Sequence, residues 1–265
     1  MSPLRFRMLA TLAMALCASA ALVAGAKAPK GVADLFVACP FLGMTNRMDY
    51  QLIFDPKAGA PSERDQAMKR ELVSSEPGTL GRLDAITLDE ANGYLSITGR
   101  ESTYTLVLVY YKHPDGRLIP ALRFSSNEGE FPDVSWGFYD IQPDGTWIRI
   151  PDETILPPDP GALFLGAKPG QGDRDMLAVT SWDIDLPRYG VTAHLVPMPY
   201  ESDLDDPRQA VRVPGTDRSF TQGDYGKWFR KNFYLGDKPC VLELRWIKAN
   251  SRFEAGKIVP AGGAG

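Results

Sequence analysis

The sequence predicts a mainly β fold: an antiparallel sheet or sandwich built from hairpins, with one or two short helices. Three observations support this. From Ala91 onward, short runs of alternating apolar and polar residues recur, and turn residues separate them. Helical segments do not alternate with those runs, as a doubly wound α/β fold would require.

The first 26 residues, MSPLRFRMLATLAMALCASAALVAGA, place Arg5 and Arg7 ahead of an apolar, Ala-rich run and end in Ala24-Gly25-Ala26. That is the layout of a secretory signal peptide, residues 1–26, cleaved before Lys27. Cleavage after Ala28 would put Pro29 at the scissile bond. Residues 8–24 reach the lower edge of membrane-spanning length, but the processing site and the many alanines favour removal over an anchor. Cys17 follows the bulky Leu16, so lipidation is not expected.

Within the mature region, residues 34–40 read as a short apolar strand stopped by Pro40, and residues 48–54 as a second strand. Ser62 then caps a helix whose Met68 and Leu72 share a face. Asn92-Gly93 marks a turn before the alternating run at 94–99. Residues 104–111, YTLVLVYY, form a near-continuous apolar β run that belongs at the centre of a sheet.

Two stretches, YKHPDGRLIP and DIQPDGTWIR, share Pro-Asp-Gly. Proline presets one turn dihedral, Asp bonds the local backbone and Gly accepts positive φ, so each reads as a hairpin tip rather than a repeat. Strand 118–124 returns from the first tip, with Pro120 marking it as an edge or a bulge. Residues 136–141 and 146–150 flank the second tip.

The Pro- and Gly-rich stretch 151–175 is expected to be a surface crossing or the meeting point of two sub-lobes. Strands are expected at 176–182 and 191–196, and a second helix around 225–231. The clearest strand is 240–246, with Cys240, Leu242, Leu244 and Trp246 on one face. The β-rich region spans 27–258, and the tail 259–265 is expected to be disordered.

Losing Arg5 and Arg7 with the leader moves the net charge from −4 to −6. No basic stripe suits a nucleic acid, and no later apolar run spans a membrane, so the mature chain is expected to be soluble. The leader also takes Cys17, leaving Cys39 and Cys240 in an oxidising compartment, where a disulfide between them is expected. Closing so long a loop would remove roughly 5 kcal/mol of unfolded-state entropy.

Little else in the chain points to chemistry. His113 sits beside a turn proline, His194 lies in a strand, and no GxSxG elbow locates a nucleophile. No Cys or His pairs stand at zinc-ligand spacing. Residues 201–206 cluster oxygen donors in Glu201, Asp203, Asp205 and Asp206, but lack the Gly and distal Glu of a calcium loop. The glycines of residues 166–172 lack the Lys-Ser/Thr ending of a phosphate loop. No cofactor or metal is therefore expected.

Asp183 and Asp185 alternate onto one face of a strand end, about 6.5 Å apart at Cα, which permits paired carboxylate catalysis. Trp136, Trp147, Trp182, Trp228 and Trp246 leave room for an aromatic platform, but most of them are expected in the core, and its exposed members are expected from Tyr110, Tyr111, Tyr139 and Tyr200. The leading expectation is an exported, non-catalytic binding or interaction protein of the bacterial cell envelope, with a small ligand or an envelope protein as partner. The alternative is a secreted hydrolase using Asp183 and Asp185, with His194 as a further candidate.

Overall fold

The structure, a computed structural model, describes residues 29–44, 52–55, 57–75, 83–99, 103–126, 133–166, 168–200 and 206–262. The leader at 1–26 and most of the acidic loop at 201–206 lie outside the described residues. The protein is mainly β, with 43% strand, 25% helix and antiparallel sheets.

A six-stranded antiparallel meander forms the middle layer, in the order β3 (Leu83–Asp89), β4 (Tyr94–Gly99), β5 (Tyr104–Lys112), β6 (Leu118–Ser126), β7 (Asp133–Ile141) and β8 (Trp147–Ile150). The apolar run at 104–111 makes β5 an interior strand buried on both sides, as its composition predicts. Val107, Val109 and Tyr111 enter one core, while Tyr104, Leu106 and Leu108 enter the other. Each face of the sheet therefore needs its own cover.

One face is covered by α1 (Val32–Ala38), the small β1–β2 hairpin (Leu42–Met44 and Leu52–Phe54) and α2 (Glu63–Ser74). Ser62 caps α2 as expected: its hydroxyl accepts from the Asp65 N–H at 3.1 Å, and the Asp65 carboxylate returns a bond to the Ser62 N–H. Met68 and Leu72 point into this core. Lys69 is buried with them, and its Nζ donates to the Cys39 carbonyl at 2.7 Å. Burial pushes the Lys69 pKa down.

The segment 34–40 is helical as far as Ala38 rather than extended. Val32, Leu35 and Phe36 recur at helical spacing and all three are fully buried. An apolar run this short fits either period, and here burial on one stripe decides the outcome.

The other face is covered by a second antiparallel sheet, in the order β13 (Tyr234–Leu235), β14 (Lys238–Ile247), β10 (Thr192–Met198) and β9 (Ser181–Asp185), with β15 (Arg252–Pro260) also paired to β14. The segment 151–175 carries the chain between the two sheets and is not plain surface coil. It holds α3 (Asp152–Ile155), α4 (Pro160–Leu165) and the start of α5 (Gln171–Leu177), and buries Ile155, Leu156 and Phe164. Residues 176–180 complete that helix and its exit instead of starting a strand, so β9 begins only at Ser181. A small β11–β12 ladder (Ala210–Arg212 and Ser219–Thr221) leads into α6 (Gln222–Phe233), the second expected helix, which buries Tyr225, Phe229 and Phe233.

Three further expectations need correction. Pro120 lies in β6, which pairs on both sides, but the ladder to β7 begins only at Ala121, so no bond requires the missing N–H. The tail expected to be disordered from residue 259 begins instead as the end of β15, whose Val259 and Pro260 pair with Val241 and Cys240. Cys39 and Cys240 are both free thiols. Cys240 does face a core, but Cys39 belongs to the core on the opposite side of the six-stranded sheet. Two thiols in separate layers cannot meet the Cα separation of under about 7 Å that a disulfide needs.

Titration in denaturant of an unreduced chain lacking residues 1–26 is expected to find two thiols, those of Cys39 and Cys240. In the native protein Cys39 is expected to resist alkylation at pH 8, since burial pushes its pKa up to about 11. A folded pKa raised above the unfolded value of 9.0 makes this group's contribution to stability full below pH 9 and progressively lost up to about pH 11. A disulfide-linked peptide pair would contradict this arrangement.

Candidate functional site

In a meander, successive turns alternate between the two ends of the sheet. The β3–β4, β5–β6 and β7–β8 turns therefore share one end, and both Pro-Asp-Gly tips stand on the same rim. The tips have one construction. His113 N–H donates to the Arg117 carbonyl and Gln142 N–H to the Thr146 carbonyl, each closing a three-residue loop. Gly116 and Gly145 take φ values of 92° and 86°. Asp115 accepts from the Arg117 N–H at 3.0 Å and Asp144 from the Thr146 N–H at 2.9 Å. Those backbone bonds hold both carboxyls below their usual pKa.

The tips are also joined by charge. The Arg117 guanidinium bonds Asp115 at 3.1 Å and the Asp140 carboxylate on β7. His113 Nδ1 lies 2.8 Å from Asp115 Oδ1, and Arg117 Nη2 is 3.2 Å from His113 Nε2. Gln142 donates to the other Asp140 oxygen at 3.2 Å. His113 thus belongs to a chain of mutual contacts that braces the rim.

Behind the rim lies a cleft of about 730 Å³. Residues of both tips line it, among them Gly116, Arg117, Pro143 and Gly145. Tyr110, Leu118, Ile141 and Trp147 supply apolar walls, and Lys30, Lys112, Arg117 and Asp140 supply charge. Pro29, Lys30 and Ala38 bring the two ends of α1 to it. Glu90 on the β3–β4 turn holds that helix in place by accepting from the Ala33 N–H at 3.1 Å. The volume and the mixture of apolar walls with a few polar groups are those of a small-molecule site.

The carboxylates singled out from sequence do converge. Asp183, Asp185 and His194 line a recess of about 370 Å³ with Arg123 and Val196. His194 Nδ1 lies 3.6 Å from Asp185 Oδ2. Asp183, however, is already engaged: Arg123 Nε donates to its two oxygens at 2.9 and 3.1 Å, Arg123 Nη2 donates at 2.7 Å, and the Ile184 N–H adds a fourth bond. Its geometry is that of an ion pair tying β6 to β9. Within the acidic loop, only Asp206 is described, and it accepts from the Arg208 N–H at 2.9 Å.

The aromatic residues divide between packing and surface. Trp246 and Tyr111 each meet Phe253 edge-on in the inter-sheet core, where the Tyr111 hydroxyl is buried with no partner among the described residues. Burial pushes that hydroxyl's pKa upward. Tyr200 packs edge-on against Tyr225 at α6. Trp136, Trp147, Trp182 and Tyr139 line a second cleft of about 690 Å³, in which Trp136 Nε1 donates to the Trp182 carbonyl at 2.7 Å. Tyr139 and Trp147 are buried there, and Trp136 and Trp182 are half-buried.

Sequence reasoning missed Lys30, Lys112, Arg117 and Asp140 as cleft residues. The available signal was parity: in a meander, tips two hairpins apart share an end, so residues flanking both tips become neighbours.

Gly93 shapes the cleft wall from below. It takes φ 65°, and a Cβ there would stand 2.5 Å from the Tyr110 ring. Gly93→Ala is expected to lower stability by about 1–3 kcal/mol in urea denaturation and to displace Tyr110. An unchanged midpoint would contradict the close approach.

No family model matches the chain, and no curated protein matches it. Among solved structures, it is similar to a domain of an uncharacterized protein from Porphyromonas gingivalis W83, at 10% sequence identity and a TM-score of 0.39, over 72% of this chain and 88% of that one.

Proposed function

We propose that this chain is an exported, non-catalytic binding protein of the bacterial cell envelope, and that its ligand occupies the cleft behind the two Pro-Asp-Gly tips. The observation that carries this reading is the placement of both tips on one rim of a 730 Å³ cleft. Export rests on the leader at residues 1–26. The non-catalytic reading rests on how the polar groups are spent. His113, Asp115, Arg117 and Asp140 contact one another, so the rim is rigid and pre-organised for docking.

The hydrolase reading keeps one supporting observation, the convergence of Asp183, Asp185 and His194 in a single recess. Paired-carboxylate hydrolysis needs both groups free to face the substrate. Asp183 instead has both oxygens bonded to Arg123.

Thermal unfolding of the mature protein against a metabolite library separates the two readings. A ligand at a hundred times its Kd adds about 2.7 kcal/mol of stability. The stabilisation is expected to disappear in Ala38→Trp, which fills the cleft, and to survive Asp185→Asn combined with His194→Ala. Loss in the second variant with retention in the first, or turnover of a bound compound that requires Asp185, would establish the hydrolase reading instead.

A further inference from the structure

We infer that the cleft takes an amphipathic anion: a small molecule with one carboxylate- or sulfonate-class group and an apolar body. This rests on the binding reading above and assigns the chemical class of the ligand.

The first support is charge. The chain as a whole carries net charge −4, yet three of the four charged residues lining the cleft, Lys30, Lys112 and Arg117, are cationic. Arg117 is answered by Asp115 and by Asp140. Lys30 and Lys112 are exposed and have no carboxylate partner among the described residues. Neither ammonium is held in an ion pair among the described residues, so both can reach an anionic head group at the mouth of the cleft, while Arg117, Asp115 and Asp140 satisfy one another.

The second support is the apolar wall. Tyr110, Leu118, Ile141 and Trp147 present rings and aliphatic carbon, which reward burial of an apolar body at about 25 cal/mol per Å². An inorganic anion would leave that wall wet, and a purely apolar ligand would leave the lysines unused.

Both ends of the site are held in place. The Trp246 indole donates to the Lys112 carbonyl at 3.2 Å, which fixes the end of β5. The Asp34 carboxylate accepts from the Lys30 N–H at 3.0 Å, which fixes the chain ahead of α1. The lysine ammoniums are point charges on flexible four-carbon stems, which can meet one anionic head group without demanding a fixed geometry of it.

Calorimetric titration of the mature protein with sub-micellar decanoate, decylammonium and octyl glucoside tests the assignment. Decanoate is expected to bind, at least tenfold more tightly than either other probe. Its affinity is expected to fall at least tenfold in Lys30→Ala/Lys112→Ala, with circular dichroism unchanged, and to weaken as salt rises. If octyl glucoside or decylammonium binds as well as decanoate, and all binding is lost in Ala38→Trp, the cleft is a binding site but the anion assignment is overturned. If no probe binds at millimolar concentration, or binding persists in Ala38→Trp, the assignment is overturned together with the cleft reading.

Discussion

The structure depends on one constraint: β5 is apolar on both faces. A strand reading Tyr-Thr-Leu-Val-Leu-Val-Tyr-Tyr cannot leave either side in water, because each large side chain left exposed forfeits about 1.5–3 kcal/mol. Alternation then sends Leu106 and Leu108 to one core and Val107, Val109 and Tyr111 to the other. The chain before β3 covers the first face and the chain after β8 covers the second. Cys39 and Cys240 fall in different layers for the same reason, and packing replaces the covalent tie expected between them.

Polar groups at the seams are matched individually. The Arg123–Asp183 pair, the Trp136 bond to the Trp182 carbonyl and the Trp246 bond to the Lys112 carbonyl each link the two sheets. A half-buried ion pair with several hydrogen bonds offsets its own desolvation without adding much net stability, so its contribution is mainly to the relative placement of β6 and β9. Lys69 acts similarly in the other core. It reaches the carbonyl of Cys39, at the end of α1, where helical carbonyls lack partners.

Local chemistry was legible in the sequence. Ser62 starts a helix, the two Pro-Asp-Gly tips close hairpins, Asn92-Gly93 turns the chain, and Cys240 alternates inward along β14. Features decided by tertiary packing were not. The run at 34–40 fits either helix or strand until the sheet supplies a surface for Val32, Leu35 and Phe36 to cover. Pro120 reads as an edge marker because sequence cannot show where the β7 ladder stops. Asp183 looks catalytic until Arg123, sixty positions earlier, is placed beside it. The cleft shares this dependence, since Lys30, Tyr110, Arg117 and Trp147 become neighbours only through the strand order and the docking of α1.

Ligand binding as proposed would concentrate contacts where the two tips meet, at Trp147, the one of the five tryptophans that lines the tip cleft. Nitrogen-15 NMR of the five indole N–H groups during titration with decanoate tests it most directly. A progressive, saturable shift of the Trp147 signal is expected, with Trp228 and Trp246 unmoved. Shifts confined to Trp136 and Trp182, or no shift at Trp147 at saturation, would contradict it.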